Sequence, residues 1–206
     1  MRGFGMHSEF WNSRYAEPGY AYGTAPNTFL VSQSRHLRPG MRALAVADGE
    51  GRNGVWLAQQ GLTVLSVDSS EVGLSKAQTL ATEREVKLRT EATDLFDWTW
   101  PVASFDVVVA IYAHFPPTHR VRLHANMLRA LKPGGVLIIE AFTPRQLQYR
   151  SGGPRSPELL YTADLLSADL ADAEMMALEE TLTDLDEGPY HRGLAAVVRL
   201  VARRIV

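Results

Sequence analysis

Asp48, Glu50 and Asp68 are the acids whose setting points to chemistry. Two of them sit in Asp48-Gly49-Glu50-Gly51, a glycine turn that follows an apolar run over residues 43–47 and precedes a short amphipathic segment over 55–60. Gly61 closes that segment, and a second apolar run over 62–67 ends on Asp68. Strand, tight loop, helix and strand, with an acid about 20 residues past the loop, is the layout of a nucleotide-binding βαβ unit. Gly49, Gly51 and Gly54 satisfy G-x-G-x-x-G, and glycines suit such a loop because no Cβ holds a ligand away from the backbone.

Charge decides which nucleotide. A dinucleotide would place an anionic pyrophosphate on the loop's amides and the positive helix end, where two carboxylates repel it. S-adenosylmethionine has no phosphate and carries an ammonium and a sulfonium, so Asp48 and Glu50 would attract it. Asp68, at the end of the second strand, is placed to accept hydrogen bonds from both ribose hydroxyls. The structural alternative makes Asp48 and Glu50 solvated loop acids and Asp68 a helix cap for Ser70 onward.

The elements that must hold these residues follow in order. Residues 9–26 carry Phe10, Trp11, Tyr15, Tyr20 and Tyr22 among Pro18, Gly19, Gly23 and Pro26, the composition of an ordered arm or lid. A helix is expected from Asn27 as N-cap towards Leu37, and another from Ser70 to about Arg84. Strands are expected over 86–93, ending on Asp94, then 105–113 and 136–142, with a helix opened by Pro116-Pro117 between the last two. That helix would bury Val121, Leu123, Met127, Leu128 and Leu131, and Pro133-Gly134-Gly135 would stop it. Residues 147–157 form a Gly/Pro/Ser-rich loop long enough to border a site, with Arg145, Tyr149 and Arg150 either lining an acceptor pocket or simply exposed. Thr162 should cap a helix over 163–170, and strands over 174–184 and 194–203 should form an antiparallel hairpin. The fold class expected is α/β: a Rossmann-like, seven-stranded, mostly parallel sheet with helices on both faces and a C-terminal antiparallel hairpin, in one domain over 1–206 with 1–26 as the arm. Ligands of such sheets sit at the carboxyl ends of the strands.

The totals set limits. The 206 residues, 46% hydrophobic and 21% charged, describe an ordinary globule. A net charge of −2 gives no reason to expect nucleic acid or an anionic membrane, and without cysteine there is no thiol nucleophile or thiolate metal site. No apolar run approaches the roughly 20 residues that span a bilayer, so a cytoplasmic protein, monomeric or weakly dimeric, is expected.

In its ordered motifs the chain resembles the class I S-adenosylmethionine-dependent methyltransferases, and within them the small tellurite-resistance-like and thiopurine-methyltransferase-like group. The resemblance is carried by W-N-x-R-Y and Y-x-Y-G-T-A-P-N (11–27), A-D-G-E-G-R-N (47–53), V-D-S-S (67–70), A-T-D-L (92–95), F-D-V-V (105–108) and L-K-P-G-G-V-L-I-I-E-A-F (131–142). It implies that Gly49 and Gly51 floor the methionine portion, Asp68 holds the ribose with Ser69 beside the adenine, and Asp94 bonds the adenine amino group with Leu95 packed on its ring. It also implies that the backbone at Ala110 faces the methionine ammonium and that His114 stands on the substrate side. The chain departs from the superfamily loop D-x-G-x-G-x-G in having Ala45 and Ala47 at its first acid and first glycine. Either Asp48 or Glu50 then anchors the loop.

Methyl transfer from a sulfonium is an in-line displacement, so alignment and desolvation supply most of the acceleration. A thiol or metalloid acceptor needs little proton handling; an oxygen or nitrogen acceptor could use His114 as base. The alternative for His114 is a packing role, while His119, His124 and His191 read as surface residues and no histidine spacing suits a metal. Tyr15 and Tyr22 either close over the cofactor or anchor the fold. Arg52 either clamps the cofactor carboxylate or pairs with Asp48 or Glu50. Three functions compete: methyl transfer from S-adenosylmethionine to a small-molecule acceptor, non-catalytic binding of the same cofactor, and an NAD-dependent oxidoreductase that rests on the glycine spacing alone.

Overall fold

The computed structural model describes residues 3–205, with side chains from Ser8 onward. Seven strands form one sheet in the order β3-β2-β1-β4-β5-β7-β6. They are β1 (Arg42–Val46), β2 (Thr63–Asp68), β3 (Arg89–Ala92), β4 (Phe105–Ile111), β5 (Leu131–Phe142), β6 (Ala173–Asp186) and β7 (Arg192–Arg204). The β1–β2, β2–β3 and β4–β5 pairs are parallel, whereas β5–β7 and β6–β7 are antiparallel. The mostly parallel sheet with a C-terminal antiparallel hairpin is therefore the expected fold class.

The chain forms two compact units, one reaching to Trp98 and including Glu187–Pro189, the other made of Thr99–Asp186 and the chain from Tyr190. In the first, β1 and β2 have every residue after the first buried, as interior parallel strands require, and all of these are apolar except Ser66 and Asp68. The helices α1 (Gly3–Tyr15), α2 (Thr28–Ser32), α3 (Arg52–Gln59) and α4 (Glu71–Glu83) belong to this unit. Ser70 caps α4, its hydroxyl accepting from the Gly73 amide at 3.0 Å, and Leu74, Ala77, Leu80 and Ala81 line its buried face. Asn27 caps α2 in the same way through Leu30, but that helix stops at Ser32 and gives way to a 3-10 turn over Ser34–His36 rather than running to Leu37. Residues 9–15 of the aromatic arm are helical, a conformation their turn-forming neighbours concealed.

In the second unit α5 (Pro117–Ala130) starts at the proline pair and α6 (Ala163–Asp169) is capped by Thr162, which accepts from Leu165 at 3.1 Å. The buried face of α5 is Leu123, His124, Met127 and Ala130: Leu123 and Met127 are as expected, whereas Val121 is exposed and Leu128 only half-buried, with His124 and Ala130 in their place. Leu131 already belongs to β5, whose register against β4 slips between Phe105 and Val107 and so absorbs Pro133-Gly134-Gly135. Strand β3 is four residues instead of eight, a half-exposed edge segment. No helix among the described residues is long and apolar enough to cross a membrane.

Candidate functional site

The turn after β1 is built on a backbone that L-residues rarely adopt. Ala47 stands at φ 51°, so alanine fills a left-handed position where the resembled superfamily has glycine. Gly51 follows at φ 82°, and a Cβ there would lie 2.4 Å from the Ala77 Cβ on α4. Its glycine is thus required by helix packing as much as by a ligand.

The turn meets the end of β2 directly. Asp68 Oδ2 accepts from the Gly49 amide and Oδ1 from the Ser70 amide, each at 2.8 Å. This carboxylate is buried, and loss of hydration lifts its pKa to about 6 despite those amides. The Ser69 amide also acts on it, and a carboxylate with about four lone-pair sites keeps acceptor capacity beyond these three amides. The Thr93 amide donates to the Asp68 carbonyl at 2.9 Å, which brings the A-T-D-L segment alongside. There Asp94 Oδ1 accepts from the Phe96 amide at 2.9 Å, Leu95 is buried and Ser69 is half-exposed. Asp68, Ser69, Asp94 and Leu95 therefore gather with Gly49 and Gly51 in the first unit, whereas Ala110, buried in β4, and His114 belong to the second.

Asp48 and Glu50 do not present open carboxylates to the turn, contrary to the expectation that they face a cation. Asp48 points inward, accepting from the Ser66 hydroxyl at 2.8 Å and the Gly54 amide at 3.1 Å. Burial lifts its pKa to about 7. Glu50 is buried, with Oε2 on the Ala21 amide at 2.7 Å and Oε1 paired with Lys76 Nζ at 3.0 Å. Both therefore anchor: Asp48 ties the turn to β2 and α3, and Glu50 ties the 17–21 segment to α4. Lys76 completes the second tie by donating to the carbonyls of Glu17 and Gly19.

The aromatic arm lies on this corner. Asn12 Oδ1 accepts from the Ser70 hydroxyl at 2.7 Å, Trp11 stacks on Tyr15 at 5.5 Å, and the Tyr15 phenol is held well above its ordinary pKa by burial and by Asp68. Arg52 pairs with neither loop acid. Its Nη2 lies 2.9 Å from Oε2 of Glu187, whose Oε1 accepts from Asn27 Nδ2 at 3.0 Å, and the Asn27 amide donates to Asn53 Oδ1 at 2.9 Å. All four residues are buried. No sequence signal linked Glu187 to this network, because 135 residues separate it from Arg52.

In the second unit His114 is placed as a strap. Its Nδ1 is 2.6 Å from the Leu159 carbonyl, so it carries the proton, and Nε2 accepts from the Phe142 amide at 3.3 Å. Desolvation lowers its pKa to about 4. The ring is neutral with its lone pair occupied, which corrects the expectation of a general base. His124 and His191 are buried rather than on the surface: His124 Nδ1 lies 2.8 Å from Asp169, and His191 packs edge-on to Tyr112 and Phe142. Tyr112, at the end of β4, holds φ 56° with its hydroxyl on Glu140 at 2.7 Å, a strained position that sequence reading missed. Among the described residues no group of three His, Cys, Asp or Glu could hold a metal ion.

A pH test separates anchor from ligand at Asp48. A carboxyl whose folded pKa is about 7, against an ordinary 3.8, binds its proton more tightly when folded. Its contribution to stability is complete below 3.8 and is lost as pH rises through 7. Asp48→Asn, which keeps an acceptor for Gly54, should therefore melt higher than the parent at pH 8, with an advantage that shrinks as pH falls from 7 to 5 and is gone below 3.8, in calorimetric scans. Asp68 titrates in the same direction near 6, so the Asp48→Asn variant retains a shallower slope from that group.

Comparison with known proteins agrees with this geometry. Residues 43–135 match the family model described as a methyltransferase domain. The cypemycin N-terminal methyltransferase of a Streptomyces species is 27% identical over 87% of this chain and 78% of its own. A protein from work on converting a disulfide bond into a thioacetal group in echinomycin biosynthesis shares the fold at a TM-score of 0.80, with 22% identity over 97% of this chain and 92% of that one. The magnesium protoporphyrin IX methyltransferase of Synechocystis PCC 6803, solved with bound S-adenosylhomocysteine, aligns at a TM-score of 0.63, with 18% identity over 96% and 83%. The chain spans 43% of the length of the first curated relatives it matches, mycobacterial proteins 29% identical over 120 residues. Together they show a methyltransferase-domain match over residues 43–135 and a fold shared with these solved structures.

Proposed function

We propose that this chain transfers a methyl group from S-adenosylmethionine to a small-molecule acceptor of the thiol, metalloid or amine type. The observation that carries the reading is the bond from the Gly49 amide to Asp68, which sets the glycine turn against a buried carboxylate with acceptor capacity left. The donor set fits the cofactor: Asp68 would hold the ribose hydroxyls, Asp94 and Leu95 the adenine, and the Gly49–Gly51 backbone the methionine portion. Arg52 spends its guanidinium on Glu187, so it does not offer the turn a bidentate clamp for a pyrophosphate.

The cofactor, when bound, supplies an electrophilic methyl group. The protein's own part is alignment and exclusion of water, since His114 is neutral and occupied. An acceptor that is already nucleophilic suits such a site best. The reading extends to a cytoplasmic protein, monomeric or weakly dimeric, without nucleic-acid or membrane partners, which the net charge of −2 favours.

Incubation with methyl-labelled S-adenosylmethionine and a panel of thiols, a tellurite or selenite salt, and amines tests the proposal. Label should pass to at least one acceptor. Tight cofactor binding without transfer to any would favour a regulatory module, and tight binding of NADH in its place would favour the oxidoreductase.

A further inference from the structure

We propose that the loop after β5, residues 143–157, reads an anionic group, a carboxylate or a phosphate, on the acceptor through Arg145 and Arg150. What the anion belongs to rests on the methyl-transfer reading; that an anion binds here does not.

The loop carries Arg145, Arg150 and Arg155, and no acid lies between Glu140 and Glu158. Three other arginines of the same unit are matched: Arg120 with Asp169 at 2.7 Å, Arg199 with Glu140 at 2.6 Å and Arg203 with Glu174 at 2.9 Å. Among the described residues, Arg145 and Arg150 have neither an ion pair nor a hydrogen bond, and both are exposed. Arg155 donates only to the Tyr149 carbonyl, at 3.1 Å. Glu158, the nearest acid in sequence, is exposed and has no partner among the described residues. Three unmatched positive charges on a chain of net −2 make a local field that draws anions.

Exposed arginines alone would say little, but this loop is held in shape from inside. Gln146 is 1% exposed, donates to the Ser151 hydroxyl at 2.9 Å and the Gly152 carbonyl at 3.0 Å, and accepts from the Ala196 amide at 2.8 Å. Ser151 in turn donates to the Leu194 carbonyl at 2.7 Å. Gly153, at φ 83°, presses so closely on Phe142 that a Cβ would come within 2.8 Å of its ring, and Tyr112 stacks on the same ring at 4.5 Å. The loop is thus fastened to β7 at Leu194 and Ala196 and packed on Phe142 at the carboxyl end of β5, the end of the strands where open α/β sheets take their ligands. A preformed loop loses little freedom when a guanidinium closes on a carboxylate or phosphate in a bidentate pair.

The test is calorimetric titration of the full chain with citrate and with pyrophosphate, each with and without S-adenosylhomocysteine. At least one anion should bind saturably. Arg145→Gln/Arg150→Gln should weaken it at least about tenfold, while Arg38→Gln/Arg89→Gln, which removes the same charge elsewhere, changes it less than about twofold. The tighter of the two anions names the group. No saturable binding of either anion, or equal weakening by both double variants, overturns the inference. All four positions are exposed, so the variants should melt with the parent. Anion binding that survives when S-adenosylhomocysteine fails to bind would count against the methyl-transfer reading alone.

Discussion

Glu187→Ala should cost about 3–5 kcal/mol of stability, the scale seen when one partner of a buried ion pair is removed. Glu187 lies on the β6–β7 connection yet belongs to the first compact unit, where its two oxygens serve Arg52 and Asn27. Truncation leaves a guanidinium that is 7% exposed without its acid, and takes one acceptor from the side-chain amide of Asn27, which is itself wholly buried. The penalty is mainly that of stranded polar groups rather than of a lost attraction. In a chain of this length each kcal/mol moves the melting temperature by about 2–4 °C, so a fall of roughly 10 °C is expected. Glu187→Gln, which keeps an acceptor and the shape but not the charge, should fall between. Thermal melts of the three proteins at pH 7 make the comparison. A loss below about 1 kcal/mol for the alanine variant would show that Arg52 finds water or another acceptor.

That network also marks where the sequence stops being legible. The βαβ unit can be read locally, because the apolar runs, the glycines and the terminal acid lie within one short window, and β1, β2 and the α4 caps fall within a residue or two of expectation. Partners cannot be read that way. Arg52 has Glu50 two positions away in sequence, yet Glu50 is taken by Ala21 and Lys76, and Arg52 by an acid 135 residues on. The inward turn of Asp48 follows from Ser66, a β2 residue 18 positions away whose hydroxyl faces β1. Periodicity also cannot show that a histidine is inside: His124 sits on the buried face of α5, where Asp169, on α6, accepts a hydrogen bond from its Nδ1. Tyr112 is invisible for a different reason. Its left-handed backbone is imposed by bonds to Glu140 from both its amide and its hydroxyl, and nothing in the tyrosine code announces them.

The second large effect is expected at Asp68, the residue on which the cofactor reading depends. Its carboxylate is already oriented by the Gly49 and Ser70 amides, so the cofactor would bear no cost of arranging it. Replacement by alanine removes two charge-assisted acceptors, worth about 1.5–3 kcal/mol each, and should weaken binding by at least about tenfold. The same logic sets a pH dependence. Ribose hydroxyls donate to the ionised form, so affinity should fall as pH drops through about 6, where this carboxyl takes up its proton. Asp68→Asn should lose that dependence together with most of the affinity.

Calorimetric titration with S-adenosylhomocysteine at pH 7.5 and pH 5.5, on the parent and on Asp68→Ala, tests the central claim most directly. Saturable one-to-one binding by the parent, weaker at pH 5.5, and at least tenfold weaker in the variant is the result that the buried carboxylate at the end of β2 predicts. Parent and variant binding with equal affinity, or no binding by a fully folded parent, would contradict it.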